Sequence, residues 1–141
     1  MYLFDTDHLS LIQRNGTDGK HILARLAANS AAEVGVTIIT YEEQARGRFN
    51  VLSKARTIDQ QTIAYAQLRQ LVVDYQSISI VDFDRAAALE HQRLRQVYPR
   101  LGNMDLKIAA IALIRDATLL TRNYSDFGKI TELKTEDWSR D

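Results

Sequence analysis

The chain has 141 residues, 45% of them hydrophobic and 26% charged, which suits a single domain, residues 1–141, around one core. Lysine plus arginine and aspartate plus glutamate each number 18, so the net charge is zero and any contact with nucleic acid must come from local patches. The absence of cysteine excludes a disulfide framework and a thiolate metal site. With no apolar stretch of bilayer length and no basic-then-apolar leader, the expectation is a cytoplasmic protein that does not contact membranes.

In chain order, Tyr2–Phe4 is a short apolar run that reads as a strand and ends in Asp5 and Asp7. A carboxylate at the end of a buried strand is costly unless it caps a helix or faces a cation. Asp5 can cap a helix over "TDHLSLIQR", and Asp7 suits a cap or a first-turn acid. A second strand is predicted at Val36–Ile39. Thr40 follows as a helix N-cap, with Glu43 at capping-box spacing. Successive helical residues point about 100° apart, so Glu42 and Glu43 cannot both face one site. Tyr65, Leu68, Val72 and Tyr75 form one apolar stripe at helical spacing.

A third strand is expected at Ile78–Val81. A helix over Asp84–Val97 then presents Ala87, Leu94 and Val97 to the core and stops before Pro99. Leu106–Ile114 is apolar almost throughout and predicts a helix buried on most sides, with Asn103 as its cap and Asp105 in its first turn. Thr118–Leu120 reads as the fourth strand, followed by Thr121, Arg122, Asn123 and Asp126. A fifth strand lies near Leu133–Thr135, and Trp138 packs the C-terminal segment. Apolar strands alternating with helices predict a parallel α/β sheet covered on both faces, with ligands bound outside the carboxyl ends of the strands.

Four separated segments thus bring acids to one end of one sheet. Such a cluster repels itself unless a cation binds, and hard oxygen donors without cysteine or histidine favour Mg²⁺ or Mn²⁺. His8, His21 and His91 lack metal-ligand spacing, and there is no glycine-rich phosphate loop. Two basic groups, Arg46, Arg48, Lys54 and Arg56, then Arg93, Arg95, Arg100 and Lys107, read either as solvated helix faces or as contacts for a polyanion.

The segments "YLFDTDHLS", "TIITYEEQARG", "GNMDLKIAAIAL" and "TLLTRNYSDF" resemble, in order and spacing, the motifs of PIN-domain ribonucleases, and most closely VapC-type toxins of bacterial toxin–antitoxin systems. The likeness runs to "LKTEDW" near the C-terminus. It implies a PIN-like three-layer α/β fold with a five-stranded parallel sheet between helices. It also implies an acidic site that binds Mg²⁺ or Mn²⁺ and cuts RNA by metal-activated water, leaving a 5′-phosphate and a 3′-hydroxyl. The family's acids match Asp5, Glu43 (rather than Glu42), Asp105 and Asp126. Asp7, Thr121 and Asn123 match supporting positions, and Arg46, Arg48, Lys107 and Arg122 are the candidates for holding RNA. A homodimer and a VapB-type antitoxin partner are implied as well. "MDLKIAAIAL" and "TLLTRN" are similar to members that cut initiator tRNA in its anticodon stem-loop. Many relatives carry Asn where this chain has Asp7 and Met104, which leaves Asn103 to support Asp105.

Two other readings compete. A haloacid-dehalogenase-like phosphatase also opens on a strand ending in DxD, but it expects Thr where Leu9 stands and gives no role to Glu43. A non-catalytic PIN-like module that only binds RNA or protein would be expected to have lost one of the four acids, and none is lost.

Overall fold

The computed structural model describes residues 1–140. The chain runs β1 (Tyr2–Phe4), α1 (Thr6–Arg14), α2 (Thr17–Ala28), β2 (Val34–Thr37), α3 (Ile38–Lys54), α4 (Ile58–Asp74) and β3 (Ile80–Val81), then α5 (Arg85–Val97), α6 (Asn103–Ile114), β4 (Thr118–Leu120), α7 (Tyr124–Phe127) and β5 (Lys134–Glu136). All strand pairs are parallel, in the order β3-β2-β1-β4-β5, with helices on both faces. None of the described helices is long and apolar enough to cross a membrane.

The alternation of side chains along each strand divides the core in two. Leu3 and Leu119 turn to one face and pack with Leu94, Ile108 and Ile111 of α5 and α6. Phe4, Val36 and Leu120 turn to the other and pack with Leu9 and Ile22 of α1 and α2 and with Trp138. The register sets Phe4 level with Val36 and Leu120. Asp5 and Thr121, each one residue past its strand, therefore emerge beside Thr37, the last residue of β2.

Several element boundaries differ from expectation. β2 lies at Val34–Thr37, earlier than Val36–Ile39, because the Thr37 side chain caps α3 by accepting from the Thr40 N–H at 3.2 Å. Thr40 is consequently inside the helix, and Glu43 stands in its second turn rather than in a capping box. Gly102, not Asn103, is the N-cap of α6. The buried line of α4 is Ala64 and Leu71, while Tyr65 and Val72 are exposed. α4 packs on α3 alone among the helices it meets substantially, so a narrow seam suffices. Val97 likewise is exposed, at the last turn of α5. α2 is not among the predicted elements. It crosses α1 closely, where a Cβ added at Gly19 would stand 2.2 Å from the Leu11 carbonyl oxygen.

Candidate metal centre

Asp5 is 4% exposed and does two jobs. Its Oδ1 accepts from the His8 N–H at 2.7 Å, which caps α1, and its carboxylate also accepts from the Thr121 hydroxyl. Thr121 is itself buried and accepts from the Asn123 N–H at 2.9 Å, so its one hydroxyl hydrogen is directed to Asp5. Thr121 and Asn123 thereby align the carboxylate from the β4 side.

Glu43 reaches the same place from α3. Its Oε1 accepts from Thr6 Oγ1 at 2.6 Å, and Thr6 Oγ1 lies 3.1 Å from Thr40 Oγ1. One hydroxyl donates once, so Thr6 gives its hydrogen to the carboxylate and Thr40, fully buried, donates to Thr6. Glu42, one residue earlier, turns away and pairs with Arg46 at 2.6 Å. Asp105 enters from the first turn of α6, and Asp126 from α7, where its Oδ2 accepts from Asn123 Nδ2 at 3.2 Å. Asp5, Thr6, Asp7, Glu43, Asp105 and Asn123 line a cleft of about 170 Å³, with Ile108 and Phe127 as its apolar part. A larger apolar cavity, about 460 Å³, lies apart from these acids and has Phe4, Leu9 and Leu26 among its walls.

The acids feel one another. Burial pushes the Asp5 carboxyl from 3.8 up to about 6; hydrogen bonds from Thr121 and His8 oppose the rise, and the charges of Asp7 and Asp105 add to it. Asp105 is also raised, first by burial and then by Glu43 and Asp126. Among the described residues no cation answers this charge: Glu43, Asp105 and Asp126 form no ion pair, and Asp5 has only His8 beside it. Carboxylates without a protein cation, buried at Asp5 and half-buried at Glu43, Asp105 and Asp126, are a donor set for a hard divalent ion.

His8 is close enough to be counted with Asp5 and Asp7, since ligand atoms of the three lie within 4.8 Å of one another. Its hydrogen bonding removes it. Nε2 accepts from the Trp138 N–H at 3.1 Å, and burial keeps the ring neutral, so the proton sits on Nδ1, which cannot then ligate. Asp7 is committed as well. Arg122 grips it through two bonds, Nε to Oδ2 at 2.8 Å and Nη2 to Oδ1 at 3.1 Å, and reaches Asp18 at 3.3 Å.

Of the four basic residues expected at an RNA surface, two are engaged by acids. Arg122 is this clamp between the end of β4 and the first two helices. Arg46 is tied to Glu42. Arg48 has a buried Nε without a partner and lies near Tyr75, and Lys107 sits 5.9 Å from the centre of the Phe83 ring. Asn103 makes no hydrogen bond to Asp105 among the described residues; its Oδ1 is bonded to His91 Nε2 at 2.8 Å. Thr6 is the site residue that sequence reasoning missed. Its signal was a hydroxyl set between two acids.

Residues 2–133 match the PIN domain family. The chain belongs to the PIN-domain family. It is 24% identical to Ribonuclease VapC1 of Haemophilus influenzae over 145 residues, covering 99% of each chain. Over 66 residues, 44% of this chain and 50% of the relative, it is 35% identical to the tRNA(fMet)-specific endonuclease VapC of Shigella flexneri. Its fold is shared with VapBC-1 from nontypeable Haemophilus influenzae, with a TM-score of 0.75, 24% identity, and coverage of 99% of this chain and 98% of that one. VapBC2 from Rickettsia felis, solved bound to a DNA fragment from the promoter, matches with a TM-score of 0.73 and 25% identity over 97% of this chain and 98% of that one. Within this PIN domain, the cleft of acids is the feature with chemistry.

Proposed function

We propose that this PIN-domain chain is a VapC-type toxin, a cytoplasmic Mg²⁺- or Mn²⁺-dependent endoribonuclease that is held in check by a VapB-type antitoxin and acts as a homodimer. The observation that carries this reading is the convergence of Asp5, Glu43, Asp105 and Asp126 from four segments with no protein cation among them. The names of the similar ribonucleases and of the solved toxin–antitoxin complexes support it, and the Shigella flexneri relative supports tRNA as the first substrate to try.

Asp5 and Asp105 are the primary ligands in this reading, with Asp126 adding charge behind Asp105. A divalent ion held there lowers the pKa of water and stabilises the charge that develops on a phosphodiester. Glu43 has one oxygen fixed by Thr6, which leaves the other to help hold the metal, directly or through a water that it orients. Thr121 and Asn123 keep Asp5 in place. The test is cleavage of a mixed tRNA pool by antitoxin-free protein with Mn²⁺, then with EDTA, beside Asp105→Asn. Discrete cuts that need metal and vanish in the variant are expected. No cuts, with Mn²⁺ still bound, would favour a binding module.

Thr6 gives a sharper check on the same geometry. Thr6→Val keeps the shape but frees Glu43, and Mn²⁺ affinity measured by calorimetry should fall by about tenfold, the worth of one charge-assisted hydrogen bond. Thr6→Ser restores the hydroxyl and should bind as wild type does. Equal affinity in Thr6→Val would remove Thr6 from the site.

The pH dependence has a definite sign. Asp5 is protonated below about pH 6 in the metal-free protein, so metal must displace that proton. Mn²⁺ affinity should drop about tenfold per pH unit below 6 and level off above it. Stability of the metal-free protein runs the other way. The folded pKa of Asp5 lies above the unfolded one, so the stability that this one carboxyl contributes is fully present below about pH 3.8 and is lost as pH rises through 6. Titration by calorimetry and by urea unfolding should reveal the two opposed trends.

A further inference from the structure

We propose that the cavity between the end of α5 and the start of α6 is a phosphodiester subsite, which takes a backbone phosphate of single-stranded RNA lying across the neighbouring acidic cleft. The proposal rests on the ribonuclease reading and says where that substrate is held.

The cavity has a volume of about 250 Å³ and is lined by Arg95, Pro99, Leu101, Asn103 and Leu106. Its polar groups are donors. Arg95 follows His91 by four residues on α5, and Lys107 follows Asn103 by four on α6, so each pair shares a helix face. His91, 9% exposed, bonds Asn103 Oδ1. An amide oxygen only accepts, so the ring donates, and the –NH₂ of Asn103, which like Arg95 is an exposed residue, is free of protein partners among the described residues and open to solvent or a ligand. Arg95, Arg100 and Lys107 form no ion pair among the described residues, and the nearby Glu90 is taken by Arg93. Donors and positive charge without an acceptor select an anion, and a guanidinium beside an amide suits the oxygens of a phosphate.

The place of the cavity decides between anions. Asn103 and Asp105 are two residues apart on α6, about 200° around the helix. The donor pocket and the acidic cleft therefore flank one helix end, about one helix diameter, 10–12 Å, apart. A polynucleotide crossing the cleft presents further phosphates at that range, with the basic pocket offsetting the repulsion from the acids. An acidic peptide has no reason to extend into a cleft of carboxylates.

The experiment is fluorescence anisotropy of a short labelled single-stranded RNA with the full metal-free chain, at several salt concentrations. Arg95→Gln combined with Lys107→Gln should weaken binding by about tenfold or more. Loss of the one phosphate contact should reduce the salt slope by about 0.7, the value per phosphate for a single strand. Lys20→Gln combined with Arg69→Gln removes equal charge from exposed positions on α2 and α4 and should change little. Mn²⁺ affinity of both double variants should match wild type, since the acids are untouched. Wild-type affinity and slope in Arg95→Gln/Lys107→Gln, or an equal loss in the control, overturns the subsite. If wild type binds no RNA the subsite also falls, and metal-dependent tRNA cleavage, measured separately, tells whether the ribonuclease reading falls with it. Polyaspartate that displaces the RNA as well as unlabelled RNA does would reassign the pocket to acidic peptides and overturn it as a phosphate site.

Discussion

Asp5→Asn is expected to make the metal-free protein more stable while it abolishes Mn²⁺ binding and lowers cleavage by at least about a hundredfold. The two effects share one cause. Holding the Asp5 carboxyl at about 6 rather than 3.8 means that its charged form is disfavoured in the fold by about 3 kcal/mol at pH 7. Asparagine caps helices as well as aspartate does, so the bond from the His8 N–H survives the change. The variant should therefore gain about 1–3 kcal/mol in urea unfolding without metal. Mn²⁺ should raise the melting temperature of wild type and leave the variant where it was. A variant less stable than wild type without metal would mean that Asp5 is chiefly structural. One that still binds Mn²⁺ would remove it from the ligand set.

The same balance shows why the site could be read so early. Asp5, a charged group at the end of a buried strand, breaks the local rule for strand ends, and three further acids predicted at the same end of the sheet make the cluster stand out from the pattern. The central strands were legible for the complementary reason: β1 and β4 are buried and nearly all apolar, whereas β5, Lys-Thr-Glu at the edge of the sheet, is not. What was hidden depends on contacts far apart in sequence. Arg122 reads as a loop cation ready for RNA, yet its partners Asp7 and Asp18 stand 115 and 104 residues away. The start of α3 was misplaced because Thr37, Thr40 and Glu43 repeat a cap-like spacing of three, and only the register of β2 on β1 selects Thr37. α2 was missed since "NGTDG" reads as a turn, while its helix depends on packing at Gly19 against α1. On α4, either of two apolar lines could have faced inward, and the approach of α3 chose Ala64 and Leu71.

Trp138→Ala should cost about 3–5 kcal/mol, the usual range for truncating a buried tryptophan, and it should also weaken Mn²⁺ binding from the far side of Asp5. Trp138 is 1% exposed. Its ring centre lies 4.8 Å from that of Tyr2 and 6.3 Å from that of Phe4, and the Arg25 guanidinium lies 5.5 Å from it. Its indole N–H donates to Glu136 at 3.1 Å, which ties the ring to β5. The backbone N–H of the same residue is the hydrogen bond that fixes the tautomer of His8, and His8 stands against Asp5 with Nδ1 3.7 Å from Oδ1. Losing the ring frees the tail, and losing the tail leaves His8 buried without its partner, directly behind a proposed metal ligand. Trp138→Phe keeps most of the buried area and the backbone bond, so it should lose less than half as much stability and bind Mn²⁺ nearly as wild type. Urea unfolding and calorimetry on the two variants test both halves. A loss below about 1 kcal/mol in Trp138→Ala would show that the tail does not hold the β1 face. A full stability loss with unchanged Mn²⁺ affinity would confine Trp138 to the core and uncouple it from the acids.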